Sequence, residues 1–358
     1  MMKNTANPSE ETIGCDLGDK KSEICVLGGD GQVKEQVSVR TTRKAMTEWF
    51  RRAAAHVVVE VGAHSRWVSE LLEDLGHRVT VANPRRVKLI SESDNKTDRH
   101  DAEWLARLGR VDVKLLSPVT HRGCQAQADL AVAKARDVLV ATRTKLVNHV
   151  RGTVKGFGER LPACSAESFV RKTRMWIPAV LKAALGPVYE AIERLNEQIR
   201  EQDRMIELVA KKYPDVGVVS QITGVGVLTG LVFVLTLENK DRFSKSRMVG
   251  AFLGLRSRKS ASGNDDPQLR ITKAGDGFVR RLLVTAANYI LGPFGQDSDL
   301  RRWGLKLAQR GGKNAKKRAK VAVARKLGVL MHRLWVTGEV YEPLGYHERQ
   351  MEEKRRAA

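Results

Sequence analysis

TIGCDLGDKKSEICVLGG, residues 12–29, alternates apolar and polar positions and runs into a Gly29-Asp30-Gly31 turn, after which QVKEQVSV alternates again over 32–39. A period of two broken by a glycine-rich reversal is the pattern of strands joined by a hairpin. Asp16 lies on the first of these strands between Gly14 and Gly18, where the backbone can be approached closely. Downstream the spacing predicts a helix over 44–55, an apolar strand over 56–61, a helix over 65–75 and a short strand over 78–82. Strands that meander and then alternate with helices, with a run such as VVVEV that is apolar on both faces, predict a mixed sheet covered on both sides. The expected fold class is α/β plus α, with a ribonuclease-H-like (RuvC-like) layer at the N-terminus.

Three more carboxylates stand out in that region. Glu60 closes an otherwise apolar strand, a costly place for a charge unless it pairs or binds a cation. Asp98 and Asp101, in KTDRHDA, are three apart and share one helical face, although Asp98 read alone is also a candidate helix N-cap. Oxygen donors from several elements, without clustered His or Cys, favour Mg²⁺, with Mn²⁺ as a substitute, over zinc.

Composition narrows the partner. The chain has 358 residues, 63 Lys and Arg against 41 Asp and Glu, and a net charge of +22, a balance that points to a polyanion, nucleic acid first. The four cysteines form no CxxC pair, so neither a zinc ribbon nor a disulfide framework is indicated, and the polar N-terminus has no signal-peptide order. A cytoplasmic location and no membrane partner are expected. The charge-free run 216–237 contains four glycines and several hydroxyls and reads as a turn and a buried helix.

From 124 onward the composition predicts long helices. Leu185, Val188, Ile192, Leu195, Ile199, Ile206 and Val209 fall on a and d heptad positions, interrupted by Gln202. The reading is a coiled coil that pairs protomers or braces domains; the alternative is an amphipathic helix packed within one chain. QITGVGVLTG then places Gly224 and Gly226 in a helix-hairpin-helix-like segment, whose backbone N–H groups can meet a phosphate. Further on, Ser257, Ser260 and Ser262 lie among Arg256, Arg258, Lys259 and Arg270, followed by Lys273, Arg280 and Arg281. Hydroxyls in a cationic loop can hold or attack a phosphodiester. The segment 301–333 has twelve Lys or Arg and no acid, and reads as a basic, partly helical arm. The expected domains are 1–118, catalytic; 119–213, helical, coiled-coil and dimerising; 214–300, a mainly helical unit with the serine loop; and 301–358, the arm.

Through GCDLGDK, VVVEVGAHS, NKTDRHDAEWLA, ITGVGVLTG, RFSKSRMVGAFLGL and ITKAGDGFVRRLLV, the chain resembles over nearly its whole length the insertion-sequence transposases of family 110, the DEDD transposases, understood as RNA-guided DNA recombinases. The resemblance implies that Asp16, Glu60, Asp98 and Asp101 hold Mg²⁺. It implies too that the serine before the loop glycine, Ser262, attacks DNA to form a phosphoserine that preserves the bond energy for rejoining. It implies donor and target DNA, a structured bridge RNA, and dimers that join into a tetrameric synaptic complex. Ala261 stands where relatives often have a second serine, and Asp265 and Asp266 stand where basic residues are commoner. That leaves Ser262 as the nucleophile with Ser260 in reserve. The rival readings are a metal-only RuvC-like nuclease or Holliday-junction resolvase, and a non-enzymatic nucleic-acid-binding protein.

Overall fold

The computed structural model describes residues 11–84, 97–260, 267 and 269–345, which fall into two compact units, 1–121 and 122–358. The first is a mixed α/β layer. Strands β1 (Thr12–Asp16), β2 (Lys21–Leu27), β3 (Val33–Arg40), β4 (His56–Glu60) and β5 (Arg78–Ala82) form one sheet in the order β3-β2-β1-β4-β5. The β1-β2-β3 meander is antiparallel, while β4 and β5 add parallel to β1.

Helices α1 (Arg43–Phe50) and α2 (Ser65–Asp74) cover one face, where Ile13, Cys15, Val57 and Val59 meet Met46, Phe50, Val68 and Leu72. The sequence pattern carries α1 on to residue 55, but the helix stops at Phe50, because the Phe50 carbonyl is taken by the Arg52 N–H and by His77 Nε2. Burial excludes water from the Cys15 thiol, and this, with the neighbouring Asp16 charge, raises its pKa well above the ordinary thiol range; it is a packing residue. The opposite face receives α3 (Asp98–Val111), with Leu105, Leu108, Ala102 and Ala106 set against Val58, Cys25 and Leu27.

The second unit is helical. Helix α4 (Cys124–Gly156) runs antiparallel to α6 (Lys182–Ala210): Val147, Val150 and Val154 share a cluster with Leu185, Tyr189 and Ile192, while Ala126 and Leu130 share one with Ile206 and Val209. Arg136 pairs with Asp203 at 2.6 Å, and Arg143 donates to Asn196 at 2.7 Å along the same seam. The short α5 (Phe169–Thr173), within the connection from α4 to α6, packs at the connected end of the hairpin. The apolar heptad stripe of α6 is therefore covered by this chain's own α4.

Beyond it come α7 (Asp215–Val219), α8 (Val227–Leu237), α9 (Arg247–Phe252), α10 (Gly277–Leu291), α11 (Asp299–Ala308) and α12 (Ala315–Thr337). The segment expected as a basic, partly helical arm is helical, forming α11 and α12, but it does not stand apart: α12 buries Val323, Leu327, Met331 and Leu334 in the core of this unit. Lys316, Lys317, Arg318 and Arg325 are exposed, so one helix serves core and charged surface together.

Candidate active site and nucleic-acid interface

The carboxylates are gathered by strand register. Cys15 is paired with Val59 in the parallel ladder, which leaves Asp16 and Glu60 side by side where β1 and β4 end. Alternation along each strand then sends both toward the α3 face, since their neighbours Cys15 and Val59 belong to the opposite core. Helix α3 lies close against that face because small residues line its contact. A Cβ at Gly14 would stand 1.9 Å from the Ala102 carbonyl oxygen, and one at Gly109 would meet a Val58 methyl at 2.4 Å.

The N-terminus of α3 carries the other two acids. Thr97 is the N-cap, its hydroxyl accepting from the His100 N–H at 3.3 Å, so Asp98 is a first-turn residue and not the cap. Asp101 is buried at 9% exposure against the sheet, whereas Asp98 is exposed one turn earlier. Both acids sit favourably at the positive end of the helix dipole.

A fifth acid, absent from the sequence reading, joins this row. Glu23 is the direct antiparallel partner of Asp16 on β2, and directly paired residues face the same side. Its Oε2 is shut off from solvent, accepts no hydrogen bond, and lies 3.6 Å from Arg99 Nε of α3. In sequence Glu23 is one of many charged residues in an alternating strand, and only the β1-β2 register distinguishes it.

Among the described residues, no group of three or more His, Cys, Asp or Glu side chains is drawn together tightly enough to hold a metal ion. Yet the donor chemistry fits a hard divalent cation: carboxylates from two adjacent strand ends and one helix end, on one face, with no sulfur or imidazole among them. Asp16, Glu60 and Asp101 are the acids that the strand register and the helix end bring to that face.

In the second unit, Ser257 and Ile271 form an antiparallel bridge, flanked by Arg258 N–H to Arg270 carbonyl (2.9 Å) and Thr272 N–H to Arg256 carbonyl (2.8 Å). Its base is a glycine clasp. Gly254 (φ +69) and Gly275 (φ +74) leave no space for a side chain, since added Cβ atoms would meet the Ala274 carbonyl oxygen at 2.0 Å and the Phe252 carbonyl oxygen at 2.1 Å. Ser262, with 261–266 as a whole, lies outside the described residues.

The cations expected at nucleic acid divide. Arg256, Arg258, Lys259, Arg270 and Lys273 are exposed on the hairpin arms. Arg280 is turned inward and donates to the carbonyls of Leu253 and Ala274, both at 3.0 Å, which stitches the clasp; Arg281 pairs with Asp137 at 2.5 Å. Gly224 (φ +98) packs against Ile290 and Tyr289, where an added Cβ would stand at 3.1 Å, so its glycine is required by the turn and by packing. Gly226 precedes α8 in open space, with no side chain capping that helix.

Comparison with known families accounts for most of the first unit and about half of the second. Residues 13–158 match a transposase family of the DEDD, IS110 type, and residues 217–296 match the transposase family IS116/IS110/IS902. The chain is 29% identical over 342 residues to the transposase for insertion sequence element IS1111A of Coxiella burnetii, covering 92% of this chain and 90% of that one. It is 26% identical to a probable family 20 transposase of Pseudomonas aeruginosa (92% and 98% covered) and 27% identical to the transposase for insertion sequence element IS1328 of Yersinia enterocolitica (78% and 84%). The protein is a transposase, an enzyme that cuts and rejoins DNA. It belongs to the IS110 family, whose DEDD carboxylate set implies use of a divalent metal. Among the described residues, no helix is long and apolar enough to cross a membrane.

Proposed function

We infer that the protein is an RNA-guided serine recombinase that excises and inserts its own element, with a RuvC-like first unit as its metal-binding half. The observation that carries this reading is the placement of Asp16 and Glu60 at adjacent strand ends beneath a helix that begins with Asp98 and Asp101. The strand order β3-β2-β1-β4-β5 around them supports the ribonuclease-H-like assignment.

Mg²⁺ bound by these carboxylates would neutralise charge on the scissile phosphate and ease deprotonation of an attacking hydroxyl. Ser262 is assigned as that hydroxyl. Its Oγ forms a bond to phosphorus and gives up its proton, while the bond from phosphorus to one strand oxygen breaks and that oxygen takes up a proton. Rejoining is the reverse, with a strand hydroxyl displacing serine, so no outside energy source is needed. The exposed hairpin cations Arg256, Arg258, Lys259 and Arg270 hold phosphates without reading sequence. Sequence choice is assigned to pairing with a bridge RNA, which asks of the protein only shape and backbone contacts. Protomer pairing through the helical hairpin, and a tetramer at synapsis, complete the proposal; Met205 and Leu208 of α6, exposed at 43% and 55%, are apolar surface available for it.

The deciding experiment incubates the protein, its guide and labelled DNA with Mg²⁺ and resolves the products on denaturing gels. The expected result is a protein-DNA adduct that Ser262→Ala abolishes and Ser260→Ala spares. Asp101→Asn should remove adduct and strand cleavage alike while leaving the circular-dichroism spectrum unchanged. Cleavage without any adduct would overturn the serine mechanism in favour of a metal-only nuclease.

A further inference from the structure

Within the second unit a cleft of about 970 Å³ opens between the serine-hairpin arms, α11, the turn after it and the first half of α12. Seven of its lining residues are Lys or Arg, and among the described residues none that lines it is acidic. The floor is apolar, formed by Leu255, Ile271, Leu307 and Val329 with the Trp303 indole. Lys326 stands over that indole, its Nζ 4.6 Å from the ring centroid.

The start of α12 is electrostatically inverted. A helix N-terminus carries partial positive charge and favours acids, yet the first turn here has no acid and contains Lys316, Lys317 and Arg318 in succession, with no side-chain cap from Asn314. Lys317 and Arg318 are exposed and line the cleft. A phosphate bound there would be favoured by the helix dipole and by these side chains together.

We propose that this cleft is a groove for a single nucleic-acid strand, which it holds by phosphates at the α12 start and by an unstacked base on Trp303. The identity of the polymer rests on the reading given under Proposed function. A duplex is a poor occupant, since the cleft has the size of a small-ligand pocket and a duplex keeps its bases away from an apolar floor. A strand with splayed bases matches both linings, the cationic rim and the aromatic platform. The groove is lined in part by Ser257, Arg270 and Ile271, so a strand in it would run along the arms of the serine hairpin.

The test is fluorescence anisotropy of the full chain with a labelled oligothymidylate and with a duplex of equal length, at one fixed salt concentration. Lys317→Glu with Arg318→Glu should weaken single-strand binding at least tenfold and duplex binding several-fold less. Trp303→Ala should weaken single-strand binding several-fold, with Trp303→Phe restoring it. Equal losses on both substrates, or single-strand affinity within twofold of the parent in the charge-reversed protein, would overturn the groove. The exposed positions 317 and 318 keep the test usable if Trp303→Ala misfolds. Strand binding is read without cleavage or adduct formation, so a failure of the serine chemistry and a failure of the groove give different results.

Discussion

At the residue scale, the glycine before Asp16 controls the site as much as the acid does. Gly14 lets the backbone of α3 lie directly on β1, and any side chain there would have to push the helix, with Asp101, away from Asp16. Gly14→Ala should destabilise the first unit by about 3 kcal/mol. It should also depress strand cleavage in the protein that remains folded, whereas Gly62→Ala, in open space, should do neither. Chemical denaturation and a cleavage assay on both variants check this. Glu60 could be singled out from sequence because a carboxylate closing an apolar run is locally anomalous, Asp16 because glycines flank it on a strand, and Asp101 because its spacing from Asp98 puts both on one helical face. Asp98 could not be assigned between capping and ligation, and the structure resolves the capping half: Thr97 takes that role. Glu23 was invisible because its significance depends on a partner strand.

At the scale of elements, periodicity showed where apolar stripes lie but not what covers them. The heptads of α6 fit a partner helix from another protomer as well as one from the same chain, and it is α4 that fills the seam. For the same reason a run of twelve cations concealed the buried face of α12: its apolar residues are spaced at helical intervals among charges that dominate the local composition. Ile192 is fully buried in the α4–α6 seam. Ile192→Ala should therefore cost about 3 kcal/mol. Its effect on the melting temperature should be the same at low and high protein concentration. A loss that vanished at high concentration would mean the stripe is shared between protomers.

At the scale of the whole molecule, the two units differ in how acid should undo them. In the first unit His56 is buried in β4, its Nε2 2.9 Å from the Thr80 hydroxyl, and burial, reinforced by Arg78, lowers its pKa to about 4. An unfolded histidine titrates near 6.5, so between about pH 6.5 and 4 the unfolded chain takes up a proton that the folded chain refuses. The contribution is intact above that window and is lost as pH falls through it, by at most about 3 kcal/mol. Among the described residues of the second unit, the buried His332 and Asp129 are also held below their ordinary pKa values. Burial also lowers the His332 pKa, but the Lys240 carbonyl and Asp241 work against the shift. Asp129 is buried, which by itself would raise its pKa, but hydrogen bonds from Gln125, Tyr213 and Lys212 outweigh this and leave it lowered. The stability Asp129 supplies is present above the unfolded carboxylate pKa and disappears only as pH falls through the lower folded value, at the acid end of the range. Two units with separate cores need not unfold as one. Hydrogen exchange read by mass spectrometry should show β4 losing protection between pH 6.5 and 4 while α12 keeps most of its own. His56→Gln, which keeps a polar partner for Thr80 without a titrating ring, should flatten the response of β4 alone. Simultaneous loss in β4 and α12, or an unchanged β4 profile in the variant, would show that acid acts on the molecule through some other group.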